Sequence, residues 1–322
     1  MELRQILRLS AIPENMYSVF KYASLRFLTV LAGLMLASTM HLYASAPCRS
    51  IPGAAQLWSD FKTRWVWIGE THGTSEIPAA FGDLVCDALA QGRVVTVVLE
   101  RPATEQTAID GLISSSDPSW SENQLLNQPD WQNVFDGRTS KAMLKLLLRL
   151  RELKKEYPAM RVSAIVNFAS ASSDSQIKDD DVDKAIGRAV LALERKEPRN
   201  IVLVLTGNVH GMKSPVLGYK TAAMYLPSEG LVSLEVTGLG GDAWTMHRGA
   251  CGPGPAGVRD KDTNRSLGIY LHGDLAPVGK VDGILALGEP TSASSPANST
   301  MLEGAPCREV FSSRQREESS PN

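Results

Sequence analysis

The sequence predicts an α/β fold in a single domain, with a mostly parallel sheet and helices on both of its faces. Short apolar runs typical of buried strands recur along the chain, and longer segments with helical spacing of apolar residues separate them. Strands that alternate with helices form βαβ units, which build parallel sheets covered on both faces. About 244 residues remain between an apolar leader and a polar tail, a length that suits one domain.

The pattern places each element in order along the chain. The predicted strands cover 65–68, 94–99, 161–168, 201–206, 231–236 and 284–287. The predicted helices are one that Gly92 closes, one that Ser140 caps, and one from Asp183 to Lys196. Residues 101–139 are polar, and we interpret them as irregular or short-helical. His247 and His272 lie in Gly-rich segments that we interpret as hairpins, and we assign them no functional role.

The first 46 residues have the composition of an export leader. An apolar run over 28–46 follows Lys21 and Arg26 and ends in Ala44-Ser45-Ala46, the small-residue pattern of a signal-peptide cleavage site. An uncleaved N-terminal membrane anchor is the alternative, although its strictly apolar part, 27–37, is short for a membrane span. We therefore expect a periplasmic or secreted protein, with membrane contact only if the leader stays uncleaved.

The charge of the chain argues against a nucleic-acid partner. The sequence has 33 basic and 35 acidic residues, a formal charge of −2. The leader holds four basic and two acidic residues, so its removal leaves −4. Proteins that bind nucleic acid or anionic membranes usually carry a basic surplus, which this chain lacks.

Composition also separates a C-terminal tail from the folded domain. Residues 291–322 are rich in Ser, Pro and Glu and have few large apolar side chains, so we predict a disordered tail. The expected organisation is a leader over 1–46, an α/β domain over 47–290 and the tail over 291–322.

Four cysteines, at positions 48, 86, 251 and 307, allow three disulfide pairings, and the choice among them stays open. An exported protein meets oxidising conditions in which disulfides form. Cys86 lies on the apolar side of a predicted helix, and we interpret it as a buried free thiol. The chain has no C-x-x-C pair, which argues against a structural zinc site or a thioredoxin-type redox motif.

Polar residues follow the ends of several predicted strands. Ligands of parallel sheets bind beyond the carboxyl ends of the strands, so side chains at these positions converge on one edge. Glycines flank two of the histidines and allow close approach of a ligand to the backbone. The strand-end residues are Glu70, His72, Glu76, Glu100, Asn167, Asn208 and His210.

Some of these residues have alternative structural roles. A carboxylate at the end of an apolar strand must be paired or solvated, and Glu100 could form an ion pair with Arg101 or Arg138. Glu70 and Glu76 could be ordinary carboxylates at a helix N-terminus, where the helix dipole favours them.

Several segments resemble, in order, the motifs of the erythromycin-esterase-like proteins and of a wider superfamily that includes ChaN-type haem-uptake lipoproteins and the TraB/Tiki proteins. The most specific is Gly69-Glu70-Thr71-His72-Gly73. The match spans about residues 64–297. The other matching segments are 99–101, 136–140, 206–210, 282–285 and 294–297.

This resemblance and the strand-end residues together indicate an exported hydrolase of ester or peptide bonds. We expect His72 to act as general base on a water molecule, since an imidazole titrates near neutral pH. Glu76 or Glu100 would orient it. His210 and Arg138 would bind a substrate anion or stabilise an oxyanion. The predicted catalytic residues are His72, Glu76, Glu100 and His210, and the predicted substrate-binding residues are Glu70, Arg138 and Asn208.

Alternatives stay open for the cofactor and for the class of function. The two histidines and two of the carboxylates form a nitrogen and oxygen set suited to Mn, Fe or Zn, and the Tiki-type metalloproteases imply such a metal. The ChaN-type proteins imply haem or iron binding in the same pocket without turnover, and a non-catalytic interaction domain is a third reading. The possible metal ligands are His72, Glu76, Glu100 and His210. The expected partner is a small-molecule or peptide substrate.

One departure from the family bears on the substrate. Longer esterase relatives carry a helical insertion that builds a macrolide cleft, and the roughly 40 residues between Glu100 and Ser140 are too few for a large one. The sequence therefore argues against a macrolide substrate.

Overall fold

A computed structural model describes residues 48–166, 179–247, 250–257, 265–271 and 280–298. From Cys48 onward these residues form one α/β domain. The predicted leader, Asn167, His272, Cys307 and residues 299–322 of the predicted tail lie outside the described residues.

The described elements alternate as predicted. The strands are β1 (Trp65–Glu70), β2 (Val95–Pro102), β3 (Arg161–Val166), β4 (Ile201–Gly207), β5 (Leu231–Thr237), β6 (Asp242–His247), β7 (Ala250–Pro255), β8 (Gly268–Leu271) and β9 (Gly283–Ala286). The helices are α1 (Ala55–Ser59), α2 (Glu76–Ala90), α3 (Gln106–Ser114), α4 (Pro118–Leu126), α5 (Pro129–Asn133), α6 (Lys141–Glu156) and α7 (Asp179–Lys196).

Seven strands form the main sheet in the order β3-β2-β4-β1-β5-β9-β8. The first six run parallel, and β8 is antiparallel to β9 at one edge. This confirms the predicted mostly parallel sheet. The sequence analysis missed β8, which has only four residues and lies between polar, Gly-containing stretches that show no strand pattern.

The sheet is buried on both faces, as the prediction requires. Val66 and Ile68 of β1 face a large core formed with α2 and α6, whereas Trp65 and Trp67 face a second core formed with α7. Alternate residues of a strand point to opposite faces, so one apolar run supplies both cores. The carboxyl ends of β1, β2 and β4 therefore meet at a rigid edge of the sheet.

The segments between the strands have the predicted type of secondary structure, but the lengths of some helices differ from the prediction. Ser140 caps α6, and its hydroxyl oxygen accepts a hydrogen bond from the backbone N–H of Met143 at 3.3 Å. Residues 101–139 contain three short α-helices and a short 3₁₀ helix, Ala103–Glu105. Helix α7 begins at Asp179, four residues before the predicted start, because the acidic stretch ahead of Asp183 is also helical.

A separate two-stranded sheet, the β6–β7 hairpin, confirms the hairpin expected around His247. Trp244 packs with Phe135 and Cys251 in a small cluster apart from the two main cores.

The first eight residues of the predicted tail fall within the described part of the chain. Residues 291–298 lie against the domain as a segment that we call the C-terminal strap. Its backbone pairs with Thr74, Ser140 and Gly241, and the N–H of Ser294 donates to the carbonyl of Gly73 at 2.7 Å. Backbone hydrogen bonds hold the strap, and its alanines Ala293 and Ala297 pack against hydrophobic clusters of the domain. The composition of this segment does not reveal these contacts.

The interpretation of Cys86 as a free thiol is wrong. Cys86 forms a disulfide with Cys48, with Cα atoms 5.5 Å apart. The bridge ties the start of the described chain to α2. Cys251 is also in a disulfide. Apolar helix spacing shows that Cys86 is buried, but it does not show which residue packs against it.

Among the described residues, no helix combines the length and the apolar character that crossing a bilayer requires.

We predict that the Cys48→Ser/Cys86→Ser double variant is less stable than the wild type. The bridge joins residues 38 apart in sequence, and loop-closure entropy for such a loop corresponds to about 4 kcal/mol. Urea unfolding followed by circular dichroism measures the loss, with Ser50→Ala, at an exposed neighbouring position, as control. An unchanged unfolding midpoint in the double variant would contradict this pairing.

Candidate functional site

The His72 side chain lies at the end of β1 and is held by Glu70. Glu70 is the last residue of the strand, is only 3% exposed, and its Oε1 lies 3.0 Å from Nδ1 of His72. A carboxylate at Nδ1 fixes the ring orientation and places the proton on that nitrogen, so Nε2 is left for chemistry. Glu70 therefore orients His72, a role that the sequence analysis gave to Glu76 or Glu100.

Glu100, in β2, is the centre of the cluster. Its Oε2 lies 3.6 Å from Nε2 of His72, and its Oε1 lies 3.8 Å from Nε2 of His210. Arg138 places Nη1 3.6 Å from Oε1 of the same carboxylate. Three cationic groups thus surround one buried carboxylate. His72 and His210 reach it from strand ends, whereas Arg138 reaches it from a loop.

Gly207 makes this convergence sterically possible. Its backbone N–H donates to Oε2 of Glu100 at 2.7 Å. A Cβ at this position would lie 3.1 Å from Nε2 of His72 and 3.7 Å from Cδ2 of His210. A side chain here would enter the space between the two imidazoles, and His72 would have to move by a few tenths of an ångström to make room for it.

The second histidine, His210, is held in the same manner as the first. Oδ1 of Asp183, in α7, lies 2.7 Å from Nδ1 of His210 and also accepts the N–H of Ala222 at 2.7 Å. The two histidines thus have matched geometry, with a carboxylate at each Nδ1 and Glu100 facing each Nε2. Asp183 was missed by the sequence analysis, which placed it only as the start of a helix.

The other side of Glu100 is formed by Arg138. Its guanidinium donates to both carboxylate oxygens of Asp136, through Nε at 3.1 and 3.0 Å and through Nη2. Of the two ion pairs considered for Glu100, the structure contains the one with Arg138. Arg101 instead pairs with Glu105, with Nε 2.9 Å from Oε2.

The charges in the cluster set its protonation. Burial alone would lower the pKa of His72, but the charges of Glu100 and Glu70, together with the hydrogen bond to Glu70, outweigh it and raise the pKa to about 9. Burial alone would also lower the pKa of His210, yet the Glu100 charge and the Asp183 hydrogen bond raise it. Burial would raise the pKa of Glu100, but His72, His210 and Arg138 lower it. At neutral pH the centre is an anion between cations.

Two predicted site residues occupy other positions. Glu76, in the first turn of α2, accepts hydrogen bonds from the backbone N–H and the hydroxyl of Ser292 in the C-terminal strap, and the described residues show no hydrogen bond or ion pair between it and His72. Glu76 does lie at a helix N-terminus, as the structural alternative supposed, and its observed partner is Ser292 of the strap. Glu70, for which the same alternative was considered, instead ends strand β1. Asn208 lies beside the cluster, and its N–H donates to the carbonyl of Glu70 at 3.0 Å.

A metal centre was expected as an alternative at His72, Glu76, Glu100 and His210. Within the described ranges, no three His, Cys, Asp or Glu side chains are grouped so that they could hold a metal ion. The strap contact of Glu76 removes one of the four expected ligands from the cluster.

We predict that His72 is an imidazolium at neutral pH. Its imidazole resonances in NMR spectra should titrate with a midpoint near 9. Glu70→Gln should move that midpoint down toward 6.5, because the variant removes a neighbouring negative charge. Glu76→Gln is the matched carboxylate control and should leave the midpoint unchanged. A midpoint near 6.5 in the wild type would be incompatible with the ion-pair geometry.

No known family pattern matches the chain, and no curated protein matches it in sequence. Its fold does match solved structures. A mutant of the erythromycin esterase EreC, in its open conformation, superposes with a TM-score of 0.58 at 11% identity, over 74% of this chain and 93% of that one.

Two further structures match less closely. A protein from Bacillus cereus has a TM-score of 0.49 at 13% identity, over 79% of this chain and 95% of that one. ChaN of Campylobacter jejuni, described with cofacial haem binding, has a TM-score of 0.35 at 14% identity, over 57% of this chain and 84% of that one. The fold that this chain shares with an erythromycin esterase agrees with the resemblance of its sequence motifs.

Proposed function

We propose that the protein is an exported hydrolase that cleaves an ester or peptide bond in a small-molecule or peptide substrate. One observation carries the proposal: two imidazoles, each with a carboxylate at Nδ1, direct their Nε2 atoms to the same buried carboxylate. A histidine paired with a carboxylate is the arrangement that general-base catalysis uses. His72 and His210 are partly exposed, so substrate and water can reach them.

In this mechanism the neutral form of His72 removes a proton from water at Nε2. Glu70 accepts the Nδ1–H and keeps the ring in the required tautomer. The imidazolium that forms is stabilised by the same two carboxylates that raise the pKa of His72. The raised pKa makes His72 a stronger base, but it leaves about one molecule in a hundred in the neutral form at pH 7.

The hydroxide that forms adds to the substrate carbonyl carbon, and the carbonyl oxygen acquires negative charge. His210, whose pKa is raised, and Arg138 supply positive groups next to Glu100 that can donate hydrogen bonds to this oxygen. When the carbonyl re-forms, the ester C–O or peptide C–N bond breaks, and the His72 imidazolium gives its proton to the leaving alkoxide or amine. Glu100 holds the three cationic groups in position, and Asp183 orients His210. We assign Glu76 to the attachment of the strap rather than to the reaction.

Export is part of the proposal. The Cys48–Cys86 disulfide supports it, since such bonds persist in oxidising compartments such as the periplasm or the extracellular space. The apolar leader of the sequence agrees with this location.

We predict that His72→Ala abolishes hydrolysis while the fold survives. Loss of a general base lowers kcat by about 10²–10⁴-fold. A panel of carboxylic esters and peptides assayed with the wild type and this variant measures the effect, with circular dichroism to check the fold. Glu122→Gln, a carboxylate change on α4, is the control.

The substrate panel and a haem titration together distinguish the hydrolase from the haem-binding alternative. No turnover above the His72→Ala background would contradict the hydrolase. A Soret band on haem titration that is lost in both His72→Ala and His210→Ala would support the haem-binding alternative instead.

We predict that kcat/KM rises with pH. Because the active form is neutral His72 with a pKa near 9, the rate should increase about tenfold per unit between pH 7 and 8 and level off above 9. In Glu70→Gln the lowered pKa should move the inflection to lower pH. A profile that falls between pH 7 and 9 would contradict neutral His72 as the general base.

A further inference from the structure

The β6–β7 hairpin contacts two of the three segments that bring cations to Glu100, the His72 loop and the Arg138 loop. The backbone N–H of Trp244 donates to the carbonyl of Gly73, next to His72, at 2.8 Å. Its indole Nε1–H donates to the carbonyl of Phe135, three residues before Arg138, at 3.0 Å. A single buried residue, outside the main sheet, therefore holds the His72 loop and the Arg138 loop at once.

The three segments approach more closely than side chains would allow. Gly73 has φ +77°, and a Cβ there would lie 1.9 Å from the carbonyl oxygen of Trp244. Gly137 has φ +98°, and a Cβ there would lie 2.5 Å from the backbone N of Gly73 and 2.7 Å from the same Trp244 oxygen. Two left-handed glycines in mutual contact leave the loops little freedom to shift independently.

The hairpin adds little to the main cores. Trp244 packs with Phe135, Cys251 and Ala293, a cluster separate from the two cores that cover the sheet. Its hydrogen bonds therefore act mainly on the geometry of the loops. The strap holds the same residue, Gly73, since its carbonyl also accepts a hydrogen bond from the N–H of Ser294 at 2.7 Å.

We propose that Trp244 is a positioning residue that sets the separation of His72 and Arg138 around Glu100. The inference rests on the proposed function of that cluster. Trp244 does not touch the reacting atoms; it acts through Gly73 and Phe135. Fixed placement of reacting groups is worth large factors in rate, so a small displacement of either loop should lower kcat.

The test is Trp244→Phe, which keeps an aromatic ring and removes the indole donor to Phe135. Hydrogen–deuterium exchange read by mass spectrometry should show residues 134–140 exchanging about fivefold faster, the effect of losing the hydrogen bond to Phe135. Residues 70–76 should also exchange faster, because Gly73 packs directly against Gly137 of the loosened loop. Residues 205–212, which carry His210, should exchange as in the wild type, because Asp183 holds that histidine from the other side of the cluster.

Trp58→Phe is the matched control. Its indole Nε1 donates to Asp87 at 2.6 Å, far from both loops in sequence, so it removes the same kind of hydrogen bond elsewhere. It should leave the exchange of 70–76 and 134–140 unchanged. If Trp244→Phe loosens only its own hairpin, residues 242–255, the proposal is overturned.

A measurement on the wild type covers the case in which Trp244→Phe does not fold. The amide of Trp244 should be protected from exchange in NMR spectra, because it is bonded to Gly73. Exchange at the rate of an unprotected amide would overturn the proposal. These readouts need no substrate, so their failure is distinguishable from the failure of the hydrolase assignment.

With a substrate from the panel, Trp244→Phe should affect kcat and KM to different extents. Trp244→Phe should lower kcat about tenfold and change KM less than about twofold, because the displaced groups act in the transition state. Trp58→Phe should change neither constant. A loss confined to KM would overturn the positioning role, since the loops would then only contribute to substrate binding.

Discussion

The charge of Glu100 is the feature on which the rest of the site depends. Its carboxylate lies in a strand buried on both sides, where an unpaired charge would cost several kcal/mol. One backbone N–H and three cationic side chains offset that cost, and each comes from a different part of the chain from Glu100 itself. The carboxylate therefore gathers two strand ends and one loop into a single cluster.

The cations are in turn surrounded by further carboxylates. Glu70, Asp183 and Asp136 each lie behind one of the three groups that face Glu100. This layered arrangement explains why both histidines have raised pKa values despite their burial. It also explains the sensitivity of the site to position, since the Coulomb interaction of charges under 4 Å apart changes strongly with small displacements.

The parallel sheet fixes the positions of the side chains in only part of the site. His72 and His210 follow adjacent strands, β1 and β4, whose register is fixed by hydrogen bonds from end to end. Arg138 follows no strand. Its loop is held by the hairpin through Trp244 and by Arg101, whose Nη1 donates to the carbonyl of Arg138 at 3.0 Å. The β6–β7 hairpin and the strap thus fix the position of a loop, as the sheet fixes the position of a strand end.

The sequence by itself determined the fold class and the edge at which the site lies. Apolar periodicity is a local property of the chain, so it locates strands and their polar ends, and the topology of parallel sheets then brings His72, Glu100 and His210 together. Only the tertiary structure decided which residue pairs with which. Asp183 meets His210 across 27 residues, and Trp244 meets Phe135 across 109. Glu76 lies only four positions after His72 in the sequence, yet it contacts a serine 216 residues away. Such pairings depend on the direction of each side chain in the folded chain, and no local pattern records that direction.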